Sequence, residues 1–342
     1  MLVLIGVCGI KTGSSSMSKF SRDKIVKGNQ LLIPTGNAIC YSGYRVDQSP
    51  QTNDYPTFAQ IHEDLLLLAP NFDYLRLYDC STHAQIVLDV IRTHNLPFQI
   101  MLGADLGAEV NNPNCPWGAE YDPMQLDRNR RANEAEIQRL IQTANEYNDI
   151  VFAVSIGNEA SVDWNDHMVP VERLVSYAKQ VKNAVLQPVT FCENYIPWRD
   201  KLQPLVEVLD FISLHTYPVW EYHTVDTAMN YTQLNIQSVF EVHPNIPIVI
   251  TEAGWTTQSN GRGIESWNAD TNLQAEYCHQ LHQWSQSVGM LTFMFEAFDE
   301  PWKGSSDPQE PEKHWGFYYV DRTPKPVVER LFSHSHAVLE DA

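Results

Sequence analysis

Two glutamates, Glu159 and Glu252, stand directly after runs that are almost wholly apolar, VFAVSIGN and IPIVIT. An ionised carboxylate so close to a buried strand is costly unless it is paired, hydrogen-bonded or put to use. Taken singly, each reads equally well as a helix-start charge or half of a structural ion pair. Two converging on one cleft are the equipment for cleaving a glycosidic bond. One attacks the anomeric carbon or activates a water, and the other protonates the departing oxygen. A separation of roughly 5 Å goes with attack and retention, and one of roughly 6.5–9.5 Å with a water and inversion. Sequence leaves that choice open. Asn158, immediately before Glu159, is a candidate donor to a sugar 2-hydroxyl, with a helix N-cap as the alternative.

Such residues must be positioned, and the chain alternates short apolar runs with amphipathic stretches of helical period. Strands are predicted over 37–44, 74–79, 98–104, 151–158, 189–193, 211–217, 246–252 and 290–298. Their near-continuous Val, Ile, Leu and Phe suits a parallel sheet buried on both faces. Helices are predicted over 58–69, from a Thr82 cap to 95–97, and over 133–147 and 170–186. Others follow over about 198–208, 226–242, 273–288 and 326–339. Eight strand–helix pairs make a (β/α)8 TIM barrel. The alternative, an open doubly wound sheet, lacks its glycine-rich loop after the first strand. Residues 31–342 read as one catalytic domain and 1–30 as a leader, disordered or a remnant signal. The loop 105–127 is long enough to shape a cleft.

On a barrel, chemistry sits where strands end. Those ends carry Tyr41 and Tyr44, then Arg76, Tyr78 and Asp79, then Asp105, Asn158-Glu159 and Glu193-Asn194. His215 and Tyr217 follow the sixth strand, Trp255 follows Glu252, and Glu296, Phe298, Asp299 and Glu300 end the eighth. Strands four and seven lie three places apart around the ring, so Glu159 and Glu252 can converge across its mouth. Trp117, Trp164, Trp198, Trp220, Trp255 and Trp302 are candidate stacking platforms, of which about two or three are expected to meet sugar, since most tryptophans pack.

A formal charge of −19 argues against nucleic acid and anionic membrane surfaces as partners and suits a neutral ligand. No apolar run approaches the roughly 18 residues of a membrane span. The six cysteines show no zinc spacing, and Cys40, Cys80 and Cys192 read as small buried hydrophobes. Cys278, His279 and His282 read as a helix face, while His83, His94, His243, His334 and His336 read as surface residues. No metal and no cofactor is expected.

These residues resemble glycoside hydrolase family 17, the β-1,3-glucanase family, and its bacterial branch in particular. The specific pieces are AICYSGYR (38–45), YLRLYDCS (74–81), NPNCPWG (112–118) and VSIGNEASVDWNDHMVPVERL (154–174). TFCENYIPW (190–198), SLHTYPVWEY (213–222), ITEAGWTTQSNGRG (250–263) and FEAFDEPWKGSSDPQEPEKHWGFY (295–318) complete them. The resemblance implies a retaining enzyme acting on β-1,3-glucan, with Glu159 as acid/base and Glu252 as nucleophile. It implies Tyr41, Arg76, Asp79, Asn158, Tyr217, Trp255 and Glu296 at or beside the cleaved sugar; Tyr78, His215, Trp220, Phe298 and Trp302 join them as candidate substrate contacts. The last segment, with Glu296, Glu300 and Lys303, departs from the plant enzymes. A β-1,3-glucan glucosyltransferase with the same pair, and a glucan-binding protein without catalysis, are the competing readings. The expected form is a monomer, and the substrate class favours an extracellular or periplasmic setting.

Overall fold

The computed structural model describes residues 26–27, 30–31, 33–118 and 120–336. Eight parallel strands close into a barrel. They are β1 (Ala38–Cys40), β2 (Tyr74–Leu77), β3 (Gln99–Leu102), β4 (Val151–Asn158), β5 (Val189–Asn194), β6 (Ile212–His215), β7 (Ile248–Gly254) and β8 (Thr292–Phe295). Each pairs with the next in chain order, and β8 returns to β1 with Phe293 beside Ala38. The expected (β/α)8 barrel is the fold. A short antiparallel pair, Val26–Lys27 with Gln30–Leu31, precedes it. The leader expected over 1–30 falls mostly outside the described residues.

The helices α1 (Phe58–Leu68), α2 (Thr82–His94), α3 (Pro123–Glu146) and α4 (Val171–Lys182) follow the first four strands. After β5 come α5 (Tyr195–Asp200) and α6 (Gln203–Val206), then α7 (Val225–Val242), α8 (Thr271–Val288) and α9 (Pro326–His336). The start of α1 is a capping box: the Thr57 hydroxyl accepts from the Gln60 amide while the Gln60 side chain accepts from the Thr57 amide. Its Ile61, Leu65 and Leu68 are buried against the barrel.

Three boundaries differ from expectation. Helix α3 starts at Pro123 rather than 133, because its first turns are polar and show no apolar stripe. Their helix is encoded instead by the Asp122 cap, Pro123, and Asp127 paired with Arg130 and Arg131. The loop after β3 therefore ends at 122. The helix expected over 198–208 is two, broken at Lys201 and Leu202, with Pro204 in the first turn of the second, where its missing amide hydrogen costs no helical bond. Strands β1 and β8 are shorter than their apolar runs, since Tyr41, Tyr44, Ala297 and Phe298 are buried in the following loops without joining a strand. Cys40, Cys80 and Cys192 are buried as expected, and Cys115 and Cys278 are also buried free thiols. Two histidines expected at the surface are interior. His83 accepts from the Gly43 amide at 3.1 Å and stacks on Tyr44, and His243 bonds the Trp198 carbonyl at 2.7 Å. Among the described residues, no helix is long and apolar enough to cross a membrane.

Candidate active site

At the C-terminal mouth of the barrel lies a cleft of about 860 Å³. Glu252 stands in β7 and Glu159 directly after β4. Oxygens of the two carboxylates and Nδ1 of His215 all lie within 4.8 Å of one another.

Glu252 is almost encased, its side chain 7% exposed. Arg76 donates to Oε1 at 2.5 Å, Tyr78 to the same oxygen at 3.0 Å, and Tyr217 to Oε2 at 2.6 Å. Burial raises the carboxyl, but the His215 and Arg76 charges and the Tyr217 and Arg76 hydrogen bonds outweigh it and bring it down to about 2. It is an anion throughout the neutral range. The other Arg76 nitrogen donates to Asn158 Oδ1 at 2.5 Å. With Arg76 fixing its carbonyl, Asn158 has its amide NH2 to offer the cleft as a donor.

Glu159 is the more open carboxylate, 24% exposed. Its backbone is left-handed, φ 46°, which a non-glycine residue holds only when its surroundings impose it. Here the Glu159 amide donates to the Cys192 carbonyl at 2.8 Å, and Asn165 donates to the Glu159 carbonyl at 2.9 Å. The next turn is tied to Glu193, which accepts from the Ser161 amide and hydroxyl at 2.9 and 2.8 Å. Burial and the nearby Glu159 charge push the Glu193 carboxyl up to about 8. His215 Nδ1 lies 2.9 Å from Glu159 Oε1 and 3.5 Å from Glu252 Oε2.

These three are the one trio among the described residues spaced to grip a metal ion. The donor set does not suit one. Both Glu252 oxygens already accept from Arg76 and the two tyrosines, and burial, which opposes charge on His215, is overcome by Glu252, Cys192 and Glu159, which raise it to about 10. A protonated imidazole has no lone pair for a metal.

The cleft is lined by Tyr41, Tyr78, Asp79, Asn158, Tyr217, Trp220 and Trp302 from the predicted set, with Trp117 and Trp164 from the stacking candidates. Arg76 and His215 are buried behind the two carboxylates and reach the cleft through them. Three of the predicted residues stand outside the cleft lining. Trp255 is buried on the outer side of β7, donating to the Asn268 carbonyl at 2.8 Å and packing on Tyr277. Phe298 packs edge-on to Tyr41 beneath the Arg322 guanidinium. Glu296 is buried behind Lys303, which donates to it at 2.9 Å and also pairs with Glu300. Burial and the Glu300 charge drive the Glu296 carboxyl well up, while Lys303 holds Glu300 down against its own burial. Of the six tryptophans, Trp198 is likewise interior, its Nε1 on the Ser213 carbonyl.

Asn165, Glu312 and Trp315 line the cleft and escaped the strand-end reading. Asn165 and Trp315 lie inside loops and Glu312 in a single 3-10 turn, Pro311–Lys313, where residue type alone carries no period. Burial, with the Glu159 and Glu252 charges, raises the Glu312 carboxyl to about 7 against the pull of Lys303.

A closed (β/α)8 barrel with two carboxylates meeting at its C-terminal mouth, one encased by donors and one open to the cleft, defines a glycoside hydrolase acting on O-glycosyl bonds. The chain belongs to the BtgE/BtgC glycoside hydrolase domain family, whose signature spans residues 38–316. It is similar to a glucan 1,3-beta-glucosidase of Schizosaccharomyces pombe, 25% identical over 77% of this chain and 78% of that one. A putative glucan endo-1,3-beta-glucosidase of Aspergillus niger is 25% identical over 94% of this chain, which spans only 47% of that longer protein. The crystal structure of a Formosa endo-laminarinase superposes with a TM-score of 0.75 at 27% identity, covering 87% of each chain. A Rhizomucor miehei glycoside hydrolase family 17 β-1,3-glucanosyltransferase shares the fold, with a TM-score of 0.66 at 22% identity over 85% of this chain and 95% of that one.

Proposed function

We propose that the chain cleaves β-1,3-glucan with retention of configuration. Glu252 attacks the anomeric carbon, and Glu159 gives its proton to the departing oxygen, then deprotonates the acceptor that releases the glucosyl-enzyme. The observation that carries this is the spacing of the pair, oxygens within 4.8 Å across His215, which suits direct attack and leaves little room for the water that inversion needs. The exposures agree: the encased Glu252 suits a nucleophile, and the open Glu159 suits a group that must reach leaving group and acceptor in turn. The glucan assignment is supported by the names of the similar proteins, and the neutral sugar suits the acidic chain.

The test is reducing-sugar release from laminarin by the wild type, Glu252→Gln and Glu159→Gln, with the anomer of the first product read by NMR. Both variants are expected to fold and lose at least about 1,000-fold in turnover, and the first wild-type product is expected to be the β-anomer. An α-anomer, or a Glu252→Gln enzyme at wild-type rate, sinks the reading. The released chains also separate hydrolysis from transfer, since products longer than the donor would assign a glucosyltransferase. A wild type that binds laminarin and releases nothing would mark a binding protein.

A further inference from the structure

The two chemical steps of such a site move one negative charge. Before the first, Glu252 is ionised and Glu159 carries a proton. The Glu252 oxygen then forms a bond to the anomeric carbon as the bond to the leaving oxygen breaks, and the Glu159 proton goes to that oxygen. Afterwards Glu252 is a neutral ester and Glu159 is the anion. The second step reverses this: Glu159 takes the acceptor's proton, the acceptor oxygen bonds to carbon, and Glu252 leaves as a carboxylate. One carboxylate is ionised at every stage, but not the same one.

Between them lies one ring. His215 ends β6, is fully buried, and presents a single nitrogen, Nδ1, at 2.9 Å from Glu159 and 3.5 Å from Glu252. We propose that His215 is a positioning residue held as a buried imidazolium, whose Nδ1–H follows the migrating charge from Glu252 to Glu159 and back. The inference rests on the reading of Glu159 and Glu252 as the catalytic pair and goes beyond it by assigning the third member.

A buried cation needs a standing anion, and this pair supplies one in both states. The other groups facing the ring fit. Cys192 and Glu193 approach from β5 and Arg76 from β2. Arg76 is bonded to Glu252 and Asn158, so its charge stays on the nucleophile's side. Burial and the Glu159 charge push Glu193 up to about 8, while Cys192, brought down to about 7 against its burial by Arg76 and His215, is a further partner of the ring beside the catalytic pair. Against burial, the Glu252 charge is the largest influence raising the imidazolium.

Nitrogen-15 NMR of the free wild-type enzyme at about pH 7.5, roughly a unit above an ordinary histidine pKa, decides the charge without any substrate. Both ring nitrogens of His215 are expected to be protonated there. A neutral ring overturns the proposal while leaving the glucanase reading intact. In Glu252→Gln the same signal is expected to lose its proton at lower pH, and an unchanged titration also overturns it. Trapping the wild type with a 2-fluoro glycosyl fluoride of laminaribiose separates the states. The ring stays charged in the covalent adduct if Glu159 has taken over as counter-ion, and turns neutral if it has not. In His215→Gln, checked for folding by circular dichroism, the acid limb of kcat/KM is expected to move up by roughly one pH unit, since Glu252 loses a cation that holds it ionised. A merely structural histidine would leave that limb in place.

Discussion

Glu252 shows how much of a catalytic residue is written by its neighbours. Its anionic state comes from Arg76, Tyr78, Tyr217 and His215, which reach it from two strands, β2 and β6, or their ends. Removing one donor tests that arrangement. Tyr217→Phe deletes the 2.6 Å bond to Oε2, a charge-assisted bond of the kind worth about 1.5–3 kcal/mol. The sign follows directly. The bond lowers the Glu252 pKa, so its loss raises it, and the acid limb of kcat/KM moves up as kcat falls by roughly tenfold or more. A pH–rate profile identical to wild type would count against the role given to Tyr217. The strand-end residues were legible because an unpaired charge after an apolar run calls for an explanation. Asn165 and Glu312 were not, since nothing in DWNDH or PQEPEKH marks which polar side chain turns inward.

At the scale of elements, the sequence carried the barrel through its alternation of buried runs and amphipathic helices. It missed where packing, rather than period, sets a boundary. The buried aromatics after β1 and β8 were read as strand for that reason, and the polar first turns of α3 were lost because a cap and local ion pairs, with no apolar stripe, encode them. Strand β7 runs two residues past the nucleophile to Gly254, where a Cβ would stand 2.1 Å from the Phe295 carbonyl oxygen of β8. Two backbones meet there with no space for a side chain. Gly254→Ala is expected to push β7 off β8 and cost about 1–3 kcal/mol, the usual range for overpacking, seen as a lower Tm in thermal unfolding. Because Glu252 lies on the same strand, kcat should fall with it. A variant as stable as the wild type would mean that the strands yield freely at this point.

Across the whole molecule the charge of −19 was apparent from composition, whereas the tie that links the two ends of the barrel was not. Asp64 sits on α1, a helix whose other inward residues are apolar, and sequence gives no sign that its carboxylate is fully buried. It accepts from Arg322, from Arg45 and from the Tyr41 hydroxyl, joining the first helix to the loop before the last. Arg322 also donates to the Gly43 carbonyl at 2.9 Å and lies over the Phe298 ring, so one carboxylate organises the seam where β8 meets β1. Replacing Asp64 by Ala leaves two largely buried guanidinium groups without their shared anion. Breaking such a pair costs about 3–5 kcal/mol, more than removing both charges together, because the remaining ion is desolvated and uncompensated. Denaturant unfolding of Asp64→Ala should show that loss. The variant with Arg322→Met added should be more stable than Asp64→Ala alone, since it removes one of the stranded cations. If the double variant is instead the less stable, Asp64 does not serve mainly as counter-ion to Arg322, and the seam is held by packing around Phe298.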